Sequence, residues 1–429
     1  MTVSGGLGGC RTHVHNRCVT GRPLKPWHFV LVFGVVSLLA DMVYEGARSI
    51  IGPYLATLGA SAAIVGLVAG AGEFIGYGLR VVAGYAVSRT QHYWAWTITG
   101  YALTVLSVPL IGVTGSLVPA LLLYGTERLG KAVRSPAKDT LLSHASTSTG
   151  RGSAFGVHQA LDQTGAIAGP LLLAAVLSAH AGDYRLAFGV LIVPGVLVLA
   201  LLGWLRFRVP DPRDYEQVRL DSTASAAVSD DAAADQPADA KPALPVQFWQ
   251  YVVAIGLLSC GVASFPLLAF HAQRTGLLTD AQVPILFAVA MAVDGASGLM
   301  MGRVYDKRGP VTLLAVPIAA ACSAIAFTGD RTLVWVGVAV WGVVNGVLDS
   351  TVKSVVTELV PANLRAIAFG WLSLLRGVAL LIAGGVLGAV YDISPAYTIA
   401  LIVVANIAAL AGLVPVLRRI QPASHLAGR

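Results

Sequence analysis

Runs of twenty or more residues that are apolar almost without interruption recur along the whole chain, separated by short polar or glycine-bearing turns. They predict membrane-crossing helices near 28–57, 62–87, 93–113, 117–140, 152–179 and 186–206. A second set follows near 247–271, 280–303, 310–328, 333–358, 366–391 and 396–417. Glu127, Arg128, Lys131 and Arg134 interrupt the fourth run, which is kept by the pattern around it. Between Val209 and Pro245 the pattern stops and Ala, Asp, Ser and Pro take over, as in Asp230-Asp231-Ala232-Ala233-Ala234-Asp235. Such a stretch buries too little apolar surface to offset its ordering entropy. The pattern therefore predicts an all-α polytopic membrane protein of about twelve helices: a tail at 1–27, a six-helix half at 28–206, a disordered linker at 207–246, a six-helix half at 247–417 and a tail at 418–429.

Composition agrees. Of 429 residues, 56% are hydrophobic and 12% charged, against roughly 45–50% and 25% in soluble domains. A soluble core is thereby excluded. Lys and Arg resist translocation, so their distribution over short loops sets orientation. With both ends in the cytoplasm, that side holds Arg11, Arg17, Arg22, Lys25, Arg89, Lys138, Arg151, Arg303, Lys307, Arg308, Arg365, Arg418 and Arg419, and the other only Arg185, Arg274 and Arg331. The formal charge of +7 follows from this bias, and no nucleic-acid partner is needed to explain it. Met1 to Trp27 does not read as a signal peptide, because the first apolar stretch starts late and runs too long for an h-region. Cys260 and Cys322 lie inside apolar runs, so no disulfide framework is implied.

The halves repeat one another. Gly84-Tyr85-Ala86-Val87-Ser88-Arg89 closes the second span and Gly302-Arg303-Val304-Tyr305-Asp306-Lys307-Arg308-Gly309 the eighth, 218 positions later. Arg151-Gly152-Ser153-Ala154-Phe155-Gly156 opens the fifth span and Arg365-Ala366-Ile367-Ala368-Phe369-Gly370 the eleventh, 214 positions later. Two anchors at nearly one offset indicate duplication, with the halves related about the membrane normal. On these residues the chain resembles the major facilitator superfamily of transporters. Gly302 to Gly309 is similar to its loop signature G-x-x-x-D-[RK]-x-G, while the first copy has Ser88 in place of Asp. The resemblance implies a conformational latch built from Gly84, Ser88, Arg89, Gly302, Asp306, Lys307 and Gly309 with Arg151 and Arg365, in which Asp306 is the better-matched carboxylate. Gly156, Gly165 and Gly169-Pro170 follow the spacing G-x8-G-x3-G-P of the superfamily's antiporter signature, departing afterwards at Leu173-Ala174. Glycines so spaced admit a close neighbouring helix and Pro170 bends its own; ordinary tight packing is the other reading. Leu38-Leu39-Ala40-Asp41-Met42-Val43-Tyr44-Glu45, Arg128-Leu129-Gly130-Lys131-Ala132-Val133-Arg134 and Ala154-Phe155-Gly156-Val157-His158 look like a group of mostly uncharacterised prokaryotic permeases within the superfamily.

Ionisable residues inside a bilayer cost several kcal/mol each, so they face a cavity or one another. Asp41, Glu45 and Arg48 share a face of span one at i, i+4, i+7, and Glu73 and Arg80 stand two turns apart on span two. Span four carries Glu127, Arg128, Lys131 and Arg134, and span five His158 and Asp162 on the stripe of Gly165 and Gly169. Span ten adds Asn345, Asp349 and Lys353 at successive turns, with Asp294 and Arg376 more isolated. The resemblance implies that spans one, four, seven and ten line a central cavity. These residues then read as sites for a polar substrate or a coupling proton, or alternatively as neutralising pairs: Glu45 with Arg48, Glu73 with Arg80, Glu127 with Lys131. Asp41 lies roughly 20 Å of helix past the start of its span, where desolvation favours its neutral form and lets it exchange protons.

The tail pattern Cys10, His13, His15, Cys18 has residue types that suit a soft transition metal, at a spacing shorter than zinc loops use. No cofactor is implied. The chain lacks G-x4-G-K-[ST] and H-E-x-x-H, so ATP-driven transport and metalloproteolysis have no support. What the resemblance implies is a monomeric secondary transporter in the cytoplasmic membrane, not an enzyme, working by alternating access. Proton-coupled export of a small solute is the expected function, and proton-coupled uptake of a small polar metabolite the alternative.

Overall fold

A computed structural model describes residues 24–146, 151–211, 244–361 and 364–420, all helix and short connections, with no strand among them. The first half is α1 (Pro26–Thr57), α2 (Ala62–Thr90), α3 (Tyr93–Ile111), α4 (Leu117–Ser146), α5 (Arg151–Ala179), and a sixth crossing made of α6 (Tyr184–Val190) and α7 (Ile192–Arg208). In the second half, α8 (Val246–Cys260) and α9 (Phe265–Arg274) form the seventh crossing and α10 (Gln282–Arg308) the eighth. The ninth is α11 (Ala315–Ser323) between two 3-10 segments, Gly309–Leu314 and Ala324–Phe327, and α12 (Arg331–Leu359), α13 (Arg365–Ile393) and α14 (Pro395–Ile420) complete the bundle. Ten segments are long and apolar enough to cross a membrane. One of them, Gln282–Phe327, holds two crossings, and α4 falls outside the count because of its charges. The fold is thus the expected plan of about twelve helices. The Cys/His tail and 212–243 of the linker lie outside the described residues.

The split seventh crossing is a departure from the continuous span expected at 247–271. Pro266 has no N–H to return to Val262, and the helix stops at Cys260 and restarts with Pro266 in its first turn. A bilayer offers no water to the freed carbonyls, and neighbouring side chains take them. Asn406 donates to the Gly261 oxygen at 2.8 Å and Trp341 Nε1 to that of Ala263 at 2.8 Å.

Small residues set the helix approaches. A side chain at Gly165 would run into the Leu38 backbone of α1, and one at Gly169 into that of Met42. An even number of crossings puts the start of α1 and the end of α14 on one side, the terminal side. On the far side the halves are closely joined: Gly66 meets Gly384 and Gly388, Gly70 meets Leu380, and Gly52 of α1 meets Pro266 of α9. Asp392 at the end of α13 accepts from the backbone N–H groups of Ala62 (3.0 Å) and Ala63 (2.9 Å), capping α2 across the halves. The Tyr184 hydroxyl donates to Asp280 at 2.7 Å. Toward the terminal side the same two helices part. A Cβ at Gly377 would lie 3.4 Å from Phe74, and one at Gly370 no nearer than 4.0 Å to Val81. The bundle is closed at its far end and widens toward the termini.

Candidate functional site

The first-half charges gather where α1, α2 and α4 meet. Arg48 lies 3.0 Å from Glu73 Oε1 and 3.7 Å from Glu45 Oε2. Arg128, 2% exposed, lies 3.0 Å from Glu127 Oε2 and 3.7 Å from Glu73 Oε1. Lys131 donates to the Tyr44 hydroxyl at 2.7 Å, and the Tyr44 ring also faces the guanidinium groups of Arg128 (6.0 Å) and Arg134 (5.8 Å). Two of the expected pairs are therefore corrected. Glu73 serves Arg48 and Arg128 instead of Arg80, which is two helical turns away, and Glu127 serves Arg128 instead of Lys131, because Tyr44 engages the lysine. Of the three expected pairs, only Glu45 with Arg48 forms.

A second cluster joins α1, α4 and α5. His158 Nε2 is 3.2 Å from Lys138 Nζ, 3.3 Å from Ser37 Oγ and 3.6 Å from Asp162 Oδ2, and Lys138 is 3.8 Å from Asp162. An ammonium has only protons to give, so Nε2 accepts here and the imidazole is neutral, its proton on the buried and unpartnered Nδ1. Asp41 lies within electrostatic range of Asp162, Arg134, Lys138 and Lys131, yet makes no hydrogen bond or ion pair among the described residues. Lys138, counted in the sequence only among the charges of the cytoplasmic side, reaches into the bundle because α4 runs on to Ser146.

The second-half residues stand apart. Arg376 lies 3.6 Å from Asp349, which is 68% exposed. Asn345 bonds the Trp341 carbonyl of its own helix at 2.9 Å, and Asp294 is half-buried where α10 meets Gly346. Asp306 and Lys307 are exposed, and Asp306 has no partner among the described residues. Arg365 donates to the Val360 and Thr357 carbonyls, closing the end of α12. Ser88 bonds the Tyr85 carbonyl and Arg89 stacks 4.9 Å over the Tyr85 ring, both on the exposed surface. Gly309 adopts φ +69°, which explains the final glycine of its motif, and the equivalent first-half position is Gln91 at φ 54°. Gly84 and Gly302 meet no close neighbour and Gly156 faces open space, so of the motif's α5 glycines only Gly165 and Gly169 make a close helix approach, with Pro170 buried beside them.

Sequence reasoning passed over Tyr44, Ser37, Lys138, Asp392 and the buried His271, whose Nδ1 is 2.7 Å from the Tyr391 hydroxyl and whose Nε2 is 3.0 Å from the Thr328 carbonyl. The tyrosine and serine carried no signal beyond a membrane helix's ordinary polar content. Asp392 was legible only as the last charge before a predicted turn.

A family model described as Major Facilitator Superfamily matches residues 33–384. An uncharacterised protein of Mycobacterium tuberculosis is 45% identical over 389 residues, spanning 90% of this chain and 92% of the relative. An uncharacterised MFS-type transporter of Methanocaldococcus jannaschii is 22% identical over 378 residues, 86% of this chain and 90% of its own. Among solved structures, a peptide transporter in complex with sulfate has a TM-score of 0.71 at 15% identity, covering 94% of this chain and 96% of that one. A nucleoside transporter has 0.69 at 11%, covering 90% and 99%. At such identities these two likenesses speak to the fold alone.

Proposed function

The chain belongs to the major facilitator superfamily and is a membrane transporter rather than an enzyme, and on that premise we propose that it exports a small solute in exchange for protons. The observation that carries this reading is Asp41. It is a carboxylate with no hydrogen bond or ion pair among the described residues, within electrostatic range of a second carboxylate, Asp162, and of the α4 cations Arg134, Lys138 and Lys131. A neutral imidazole stands beside that carboxylate. A proton arriving on Asp41 or Asp162 relieves the repulsion between the two, and its departure restores attraction to Lys138 and Arg134. The local charge balance thus differs between loaded and unloaded states, which is what coupling to a conformational equilibrium requires. Export, rather than uptake, rests on the Gly165 and Gly169-Pro170 pattern of α5 and its close seat on α1 beside Asp41.

The protein acts as a monomer in the cytoplasmic membrane with both ends in the cytoplasm, and the conformation described above is then inward-open. Return to the outward-open state separates Asp392 from α2 and brings the Gly302–Gly309 run, with Asp306, against the terminal end of α5 near Arg151. In proteoliposomes under an imposed pH gradient, scanned over a broad solute panel, Asp41→Asn should abolish gradient-driven net flux while solute exchange continues. A variant that still concentrates solute as well as wild type removes Asp41 from this role. Asp306→Asn should raise cysteine labelling from the terminal side, and unchanged labelling removes the latch.

A further inference from the structure

Between α2, α12 and α13, in the terminal half of the bundle, lies a cavity of about 290 Å³, near the lower end of pockets that hold small ligands, roughly 300–1,000 Å³. Its charged lining is Arg80, Arg376, Lys353 and Asp349, and the rings of Tyr77 and Phe369 stand beside them. Three cations thus face one carboxylate. That carboxylate is 68% exposed and already placed against Arg376. Arg80 has no hydrogen bond or ion pair among the described residues, and the Nε atoms of both arginines are buried without a partner. The Arg376 guanidinium also lies 5.3 Å from the Tyr77 ring centroid.

A guanidinium cannot shed its proton in a protein, and one within a membrane span is costly when nothing meets it. Arg48, Arg128 and Arg134 each have a carboxylate or an aromatic face beside them, whereas this cavity keeps surplus positive charge. Anion chemistry meets the need. The fork of an arginine matches the two oxygens of a carboxylate or the oxygens of a phosphate, and the adjoining rings offer stacking to an apolar body. Resting on the transporter reading above, we propose that this cavity seats the charged end of the transported solute, an organic anion that carries a carboxylate or phosphate on an aromatic or aliphatic body. An anionic lipid headgroup offers the same chemistry, so the test separates the two sources.

Equilibrium binding to the purified full-length protein in neutral detergent is the measurement, with benzoate and phenyl phosphate as probes and benzamide as the uncharged comparison. Both anions should bind and benzamide should not at matched concentration. Arg80→Gln and Arg376→Gln should each weaken benzoate binding tenfold or more, Arg80→Lys and Arg376→Lys should retain part of it, and Arg331→Gln at the exposed start of α12 should leave it unchanged. If phosphatidylglycerol in nanodiscs displaces benzoate where phosphatidylcholine does not, and proteoliposomes show no benzoate flux, the occupant is a lipid headgroup. Benzoate flux lost in the arginine variants assigns a soluble solute instead. Equal binding of benzamide, or undiminished benzoate affinity in both glutamine variants, overturns the proposal. Proton-driven flux of cationic or neutral solutes alone would sink the anion assignment and leave the transporter reading standing.

Discussion

Arg128 in the first half is 2% exposed and shares Glu127 and Glu73, whereas Arg376 in the second half is 14% exposed and meets a carboxylate that is itself 68% exposed. The two guanidiniums occupy one duplicated architecture and live in different dielectrics. Around Arg128 the neighbouring helices have exchanged charges until each is answered, so the cluster ties α1, α2 and α4 together. Around Arg376 the charge stays partly solvated and partly unanswered, the condition of a surface that waits for a ligand. Duplication carried the helix plan and the turn motifs into both halves, and charge then diverged between them. It is dense and compensated on the proposed coupling side, sparse and positive on the proposed binding side.

The largest expected effect tests that contrast directly. Arg128→Ala leaves Glu127 and Glu73 short of a buried partner and should cost about 3–5 kcal/mol, seen as loss of folded protein on thermal unfolding in detergent. Arg376→Ala should cost about 0–1 kcal/mol, as a partly solvated pair does. Equal losses would erase the distinction between the halves. Next in size, Gly169→Leu forces a side chain into the Met42 backbone and should cost about 1–3 kcal/mol by overpacking, with turnover slowed. Leu171→Ala, on the exposed side of the same helix, should stay within about 0.5 kcal/mol. Normal turnover in Gly169→Leu would show that α1 and α5 need not stay in register.

Asp392→Asn weakens a charged cap worth about 1 kcal/mol. It should raise far-side labelling of a Tyr77→Cys reporter in a background without the native cysteines, and unchanged labelling would mean that the glycine contacts alone hold the far side shut. Comparable in size is the pair at the motif's last position. Gly309→Ala should lose about 1–2 kcal/mol because φ +69° suits only glycine, while Gln91→Gly should change stability by less than about 1 kcal/mol, the strain relieved being offset by chain entropy.

The crossings were legible because hydrocarbon thickness imposes a length that apolar runs display openly, and the boundaries of α2, α5 and α12 fall within a few residues of the expected spans. The pairing of charges was not. Periodicity places residues on a face but says nothing of which helix that face meets, so Glu73 was matched with Arg80 on its own helix when its partners came from α1 and α4. Lys138 hid for a related reason. A lysine near a predicted boundary reads as a charge of the cytoplasmic side until the continued helix shows that it turns inward to His158. The stripe of Gly165 and Gly169 was readable because a missing side chain is itself a spatial statement.

The interrupted seventh crossing gives the molecule a joint. Its outer piece, α9, is seated on α1 through Pro266 and Gly52, while its inner piece, α8, packs on α13 and α14. The outer piece thus meets α1 as well as α13, to which His271 ties it through Tyr391, and the short Gly261–Ser264 connection is the coupling rod between it and the inner piece. Since Asn406 and Trp341 hold the carbonyls of that connection from outside it, the rod can flex without breaking a helical bond ladder. Swinging the outer piece relative to the inner piece then requires only a few torsions to rotate, a motion suited to the microsecond-to-millisecond range of collective hinge movements.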